Sequence, residues 1–160
     1  MQKSIKPQYV LDLETAYGEP SQEGFGSAIF FKKVKTADLM EQTAQEQYQY
    51  FVGDKWQEWG PETWLAPWKE AYRRPGDAQP DIGAELSAVE DFNTQMQVDM
   101  ILNNIEDVDQ AREALSAAYD SAEVAELVAY NIGDGEALGG LVIAGHRQNG
   151  DTTFLVFLMD

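Results

Sequence analysis

Leu127-Val-Ala-Tyr-Asn-Ile-Gly-Asp-Gly135, Leu141-Val-Ile-Ala-Gly-His-Arg147 and Asn149-Gly-Asp-Thr-Thr-Phe-Leu-Val-Phe-Leu-Met159 are the stretches whose reading decides the fold. They hold three apolar runs, with Asp134-Gly135 and Asn149-Gly150 standing between them. Asp-Gly and Asn-Gly are hairpin signals, because a type I′ turn needs positive φ at both central residues. The pattern predicts a three-strand antiparallel meander. With two-residue turns, counting outward sets Gly145 against Phe154, Ile143 against Val156 and Leu141 against Leu158 on one face. Ala144 then meets Leu155, and Val142 meets Phe157, on the other. Around Asp134-Gly135 the same count sets Ile132 against Ala137, Tyr130 against Gly139 and Val128 against Leu141. In this register Tyr130 and Phe154 each cover a glycine across a strand pair.

A sheet with one wet face would alternate apolar and polar residues. Phe154-Leu-Val-Phe-Leu-Met159 does not alternate. Both faces need cover, either from the chain's own helices or from a partner on one side. Cover from within the chain is the preferred reading.

Earlier in the chain, Gly26 to Val34 predicts a fourth strand of the same sheet, centred on Ala28-Ile-Phe-Phe31. Lys32, Lys33 and Lys35 at its exit would keep that edge from pairing with other chains. Residues 1–9 read as a loose start, Tyr9 to Leu13 leaves helix and strand open, and Gly18 to Gly24 is a loop. Thr36 is the expected N-cap of a helix carrying Met40, Ala44, Tyr48, Phe51 and Val52 at helical spacing, ended by Gly53.

Arg73 to Gly83, with Pro75, Gly76 and Pro80, reads as a linker. It is not a domain boundary, because each half would be small for its own core. A helix from about Ala84 to Asn104 would present Leu86, Val89, Phe92, Met96, Met100 and Asn103 on one face. A second helix opens at Asp107, with Gln110 at capping-box spacing and Val108, Ala111, Leu115 and Ala118 as its stripe. The expected fold is α+β, one domain over residues 1–160. Its mainly antiparallel sheet has about four strands, the C-terminal meander plus residues 26–34, with helices packed on it.

The formal net charge is −17 and there is no cysteine. Residues 1–80 carry 9 Lys+Arg against 12 Asp+Glu, whereas residues 81–160 carry only Arg112 and Arg147 against 16 carboxylates. Such a field repels nucleic acid and anionic membrane and attracts basic partners. Disulfides, thiolate nucleophiles and cysteine metal sites are excluded. No signal segment and no membrane-spanning apolar run is read, so the expected location is cytoplasmic.

Chemistry-bearing residues are sparse. His146, the one histidine, sits near a hairpin end opposite Thr153, and it reads as a cross-strand residue rather than a base. Asp99, Glu106, Asp107 and Asp109 cluster at the joint of the two helices without the ligand order of a calcium loop, and read as caps and solvated charge. Gly133 to Gly140 lacks the third glycine of a dinucleotide loop and leads into a strand.

The informative stretch is Lys55 to Arg74, which holds all four tryptophans. Trp56, Trp59, Trp64, Trp68, Tyr72, Arg73 and Arg74 form the candidate partner or ligand surface. Trp, Tyr and Arg are the types enriched in binding hot spots. The competing reading is that the rings seal an irregular part of the core. No catalytic residue, metal ligand or cofactor site is assigned.

The function expected from these features is that of a non-enzymatic acidic protein-binding module. An inhibitor, immunity-type protein or antitoxin meeting a basic protein partner would fit, acting as monomer or homodimer. The alternatives are a dimeric, secretion-chaperone-like adaptor, and a small-molecule-binding domain or enzyme walled by the tryptophans.

Overall fold

The two hairpin signals deliver the expected meander, and the strands on either side of it complete a five-stranded sheet. The computed structural model describes residues 6–159. The strands are β1 (Gly26–Lys33), β2 (Lys69–Arg73), β3 (Val124–Gly133), β4 (Gly139–Arg147) and β5 (Asp151–Met159). They lie in the order β1-β5-β4-β3-β2, every neighbour antiparallel. The sheet has five strands rather than about four, because Lys69–Arg73 joins as an edge. The reading of residues 1–5 as a loose start lies outside the described residues, and α1 (Gln8–Tyr17) already covers Tyr9 to Leu13.

Helices cover both faces. α2 (Met40–Val52), α3 (Lys55–Trp59) and α4 (Pro61–Leu65) lie between β1 and β2 in sequence. They pack on Val128, Tyr130, Val142, Ala144, Phe154 and Val156. The other layer is α1 with α5 (Ile82–Ser87), α6 (Phe92–Asn103) and α7 (Val108–Tyr119), on Leu127, Ala129, Leu141, Ile143, Leu155 and Phe157. Two cores therefore share one apolar sheet, which is why its strands show no polar alternation.

Both hairpins differ from the two-residue count. Gln148–Gly150 is a three-residue loop, in which Gly150 takes φ 96° and its N–H donates to the Arg147 carbonyl at 2.9 Å. A type I turn closed by a glycine at positive φ gives this loop length. Val142 consequently meets Val156 and Leu141 meets Phe157, one residue from the expected pairing. Asp134–Leu138 is a five-residue loop, because the Asp134 carboxylate accepts from the Glu136 and Leu138 N–H groups at 2.8 and 2.9 Å. Tyr130 therefore meets Val142 and not Gly139. Register is read from which face is apolar, and two apolar faces remove that information.

Gly145 is covered by an aromatic ring as expected, but by Tyr119 of α7 and not by Phe154. A Cβ added at Gly145 would lie 2.6 Å from Tyr119 Cδ1. The buried Tyr119 hydroxyl lies 3.2 Å from the Ile143 carbonyl.

The expected helix over 84–104 is two helices. α5 ends at Ser87, and Asp91 caps α6 by accepting from the Thr94 N–H at 3.0 Å. The break resets the phase. Thr94, Val98, Ile101 and Leu102 face the core, whereas Phe92 and Met96 point outward. Asp107 caps α7 through the Gln110 N–H, but Gln110 does not reach back, since its amide donates to the Asp12 carbonyl at 2.9 Å. Thr36 precedes a 3-10 turn, Ala37–Leu39, that leads into α2, and it makes no cap bond.

Replacing Gly145 by Ala forces the Tyr119 ring aside in a filled core, at a cost of about 1–3 kcal/mol. Urea unfolding of Gly145→Ala against the parent checks this, and an unchanged midpoint would contradict the packing described.

Candidate functional site

The predicted surface residues divide between core, surface and the opposite face of the sheet. Trp64 is fully buried, at 0% exposure, and its indole N–H donates to the Lys55 carbonyl at 3.0 Å. Its ring is parallel to Trp59 (centroids 5.1 Å) and to Trp56 (6.4 Å), and Tyr48 meets Trp56 edge-on at 5.2 Å. Trp68 lies over Tyr130 of β3 at 4.7 Å and donates to Glu41 Oε2 at 2.8 Å. Burial in this stack pushes the Tyr130 phenol up to about 12, with the nearby Glu41 charge adding to the rise. The Tyr48 hydroxyl lies 2.9 Å from the Trp64 carbonyl and accepts from the Gly133 N–H at 3.0 Å. Gly60-Pro61 breaks the chain into α3 and α4 so that short helices can present these rings to the sheet. Of the four tryptophans, Trp59 is the exposed one, at 42% exposure, with Lys55 Nζ 5.5 Å above its ring, and Trp68 is partly buried.

Tyr72 belongs to the other layer. Its hydroxyl donates to Glu85 Oε2 at 2.6 Å, and burial together with that carboxylate pushes the phenol up to about 12. Arg74, read as part of a basic surface, is instead buried to 7% exposure. Its guanidinium bonds Glu85 at 2.7 Å, Asp120 at 3.1 Å and the Tyr119 carbonyl at 2.7 Å. Its own N–H donates to Leu127 O of β3, so the start of the expected linker continues the β2–β3 pairing. Burial raises the Glu85 carboxyl, but bonds from Arg74, Tyr72 and the Asp81 N–H outweigh it, and the net direction is down. Arg73 is exposed and paired with Glu70 and Glu126.

His146 is buried, with Nδ1 2.8 Å from the Thr152 hydroxyl, which itself donates to Gly150 O at 3.1 Å. Its cross-strand neighbour is Thr152, not Thr153. Among the described residues no group of three or more His, Asp or Glu side chains is placed to hold a metal ion. No helix there is long and apolar enough to cross a membrane.

The halves of the sequence are not halves of the surface. Glu41, Glu46, Asp54, Glu58 and Glu62 are exposed on α2–α4, and Lys32, Lys33 and Lys35 gather at the β1 exit. On α6, α7 and their joint, Asp99, Glu106, Asp109 and Glu113 are exposed. None of these four forms an ion pair among the described residues. Arg112 beside them is bonded to the Leu102 carbonyl and to Asn103 Oδ1.

The feature that the sequence did not reveal is a groove of about 410 Å³ between α6, the Asp134–Leu138 loop and the connector from α4 to β2. Pro67, Ile132, Leu138 and Met159 give it apolar walls, Asn93 and Gln97 reach in from α6, and Glu136 stands on the loop side. Met96, 52% exposed, also lines it, and Phe92, 74% exposed, lies one turn earlier on the same helix. The Asp91-to-Thr94 cap spacing was the available signal. A helix started there turns Phe92 and Met96 outward.

No protein-family model, curated protein or solved structure matches this chain.

Arg74→Ala leaves two part-buried carboxylates without their cation, and the expected loss is about 1–3 kcal/mol by chemical denaturation. Glu85 has a depressed folded-state pKa, so its contribution is present above the ordinary carboxylate range and is lost as pH falls from that range through its own lower pKa. Thermal midpoints of the parent should fall on acidification below about pH 4. Those of Glu85→Gln should fall less steeply, and equal slopes would contradict this assignment.

Proposed function

We propose that this chain is a non-enzymatic, acidic protein-binding module whose partner is a basic protein. The observation that carries the reading is the set of exposed carboxylates Asp99, Glu106, Asp109 and Glu113 on one helical layer, none of which forms an ion pair among the described residues. Charge of one sign that a fold does not neutralise internally is available to an opposite surface. Its field speeds encounter and rejects like-charged competitors. An inhibitor or immunity-type role follows that logic.

The structure lends less support to the two alternatives. A dimeric adaptor would need an uncovered apolar sheet face, and both faces carry this chain's own helices. A pocket walled by the tryptophans would need their rings free, and Trp56 and Trp64 are spent against Tyr48 and each other. The contact surface therefore moves from the Trp cluster to α6, α7 and their surroundings.

The test is affinity capture with the purified chain and with a variant carrying Asp99→Asn, Glu106→Gln, Asp109→Asn and Glu113→Gln. The parent should retain a basic protein at low ionic strength. It should release that protein as the Debye length falls from about 10 Å at 0.1 M toward 3 Å at 1 M salt. The variant should retain much less at an unchanged thermal midpoint. Equal retention by both, or none by the parent, contradicts the reading.

A further inference from the structure

The groove beside α6 brings apolar side chains, side-chain amides and a carboxylate together next to the most exposed apolar residues described. Apolar side chains and side-chain amides share its lining about equally, and Glu136 adds a carboxylate. At about 410 Å³ it falls in the range of sites that enclose a bulky side chain or a small ligand. Met96 of α6 and Met159 of β5 both line it. Methionine is unbranched and polarisable, and it adapts to the shape of an inserted apolar group. Phe92 lies four residues before Met96 and so shares its side of α6, extending the apolar strip beyond the groove. Neither Phe92 nor Met96 packs in the two cores, and their exposure is the largest among the described large apolar residues.

The amides narrow the class of occupant. Asn93 and Gln97 are spaced to share one side of α6 and both line the groove. Each side-chain amide offers a donor and an acceptor, the complement of a peptide group. The charge narrows it further. Glu136 lines the groove, and Glu90 is exposed just before the α6 cap. Asp99, further along α6, lines a separate pocket with Gln95 and Val98 and adds to the acidic character of the helix rather than of the groove. The nearby cation is Lys69, whose ammonium lies 3.8 Å from Asp91.

We propose that this groove seats one large apolar side chain of a cationic peptide segment of the partner, with Lys or Arg on either side of that residue meeting Glu136 and Glu90. Phe92 covers the flanking backbone, and Asn93 and Gln97 bond its peptide groups. This occupant presupposes the acidic protein-binding role proposed above, and adds to it the place and the chemistry of the anchor.

The experiment uses the full chain with methionine methyls labelled for NMR, and three peptides as probes. One is Lys-Lys-Leu-Phe-Lys-Lys, one has both apolar residues replaced by serine, and one keeps Leu-Phe between glutamates. The lysine-flanked apolar peptide should shift the Met96 and Met159 methyls in a saturable way. Met40, buried in the α2 core, and Met100, packed against the opposite core, should stay in place. Its affinity should exceed that of the serine peptide by about tenfold or more, the order expected for burying one large apolar side chain. Met96→Lys should abolish that difference without lowering the thermal midpoint.

Equal affinity for the two lysine peptides, with Met96 and Met159 unmoved, overturns the groove and leaves the acidic-surface reading standing. If neither lysine peptide binds at low salt, the acidic-surface reading falls, and the groove falls with it. Equal binding of the glutamate-flanked peptide overturns the cationic part of the proposal.

Discussion

Everything in this molecule follows from a sheet that is apolar on both sides. Val142, Ala144, Phe154 and Val156 face one helical layer, and Leu141, Ile143, Leu155 and Phe157 face the other. A strand pair of this kind cannot leave either side in water, since each large apolar side chain left exposed forfeits roughly 1.5–3 kcal/mol. The helices before β3 are therefore obliged to divide between the two faces, and the chain passes from one side to the other at β1 and back again at β2. The first strand closes the structure by pairing with the last, Gly26 opposite Leu158. These contacts are far apart in sequence, and such topologies close late in folding.

Polar groups fix how the two layers attach. On one side the Tyr48 hydroxyl ties α2 to the Trp64 carbonyl and to Gly133. On the other, Arg74 joins the end of β2 to α5 through Glu85 and to the end of α7 through Asp120 and the Tyr119 carbonyl. Buried pairs of this sort contribute little net stability against an apolar substitute, yet removing one partner is costly. Their effect is to specify a single route for the segment 74–82 across the sheet edge. Charged and irregular edges complete the design, with Lys32 and Lys33 on β1 and a register shift between Glu70 and Tyr72 on β2.

The sequence carried the class of the fold, the meander and the fourth strand, because apolar runs and Asx-Gly punctuation are local signals. It did not carry the register. That depended on the Asp134 carboxylate gathering two N–H groups and on Gly150 closing a three-residue loop, while the doubly apolar strands offered no pattern to arbitrate. β2 was missed because five residues at an edge, three of them charged, lack strand periodicity. One helix was expected where α5 and α6 stand, since Leu86, Val89, Phe92 and Met96 keep helical spacing across a break made by the Asp91 cap. That same misreading hid the groove. Arg74 was taken as surface because its two carboxylate partners lie 11 and 46 residues away.

The surface proposed for partner contact is what both filled cores leave over. Trp56 and Trp64 are consumed in packing, whereas Phe92, Met96 and the carboxylates around α6 and α7 are not. Native-state hydrogen exchange tests the premise most directly. The amides of Val142, Ile143, Leu155 and Val156 should exchange only through global unfolding, because both layers must leave before the shared sheet opens. If these amides exchange through a lower-energy opening that releases only one helical layer, the two layers do not depend on a common sheet, and the account is contradicted.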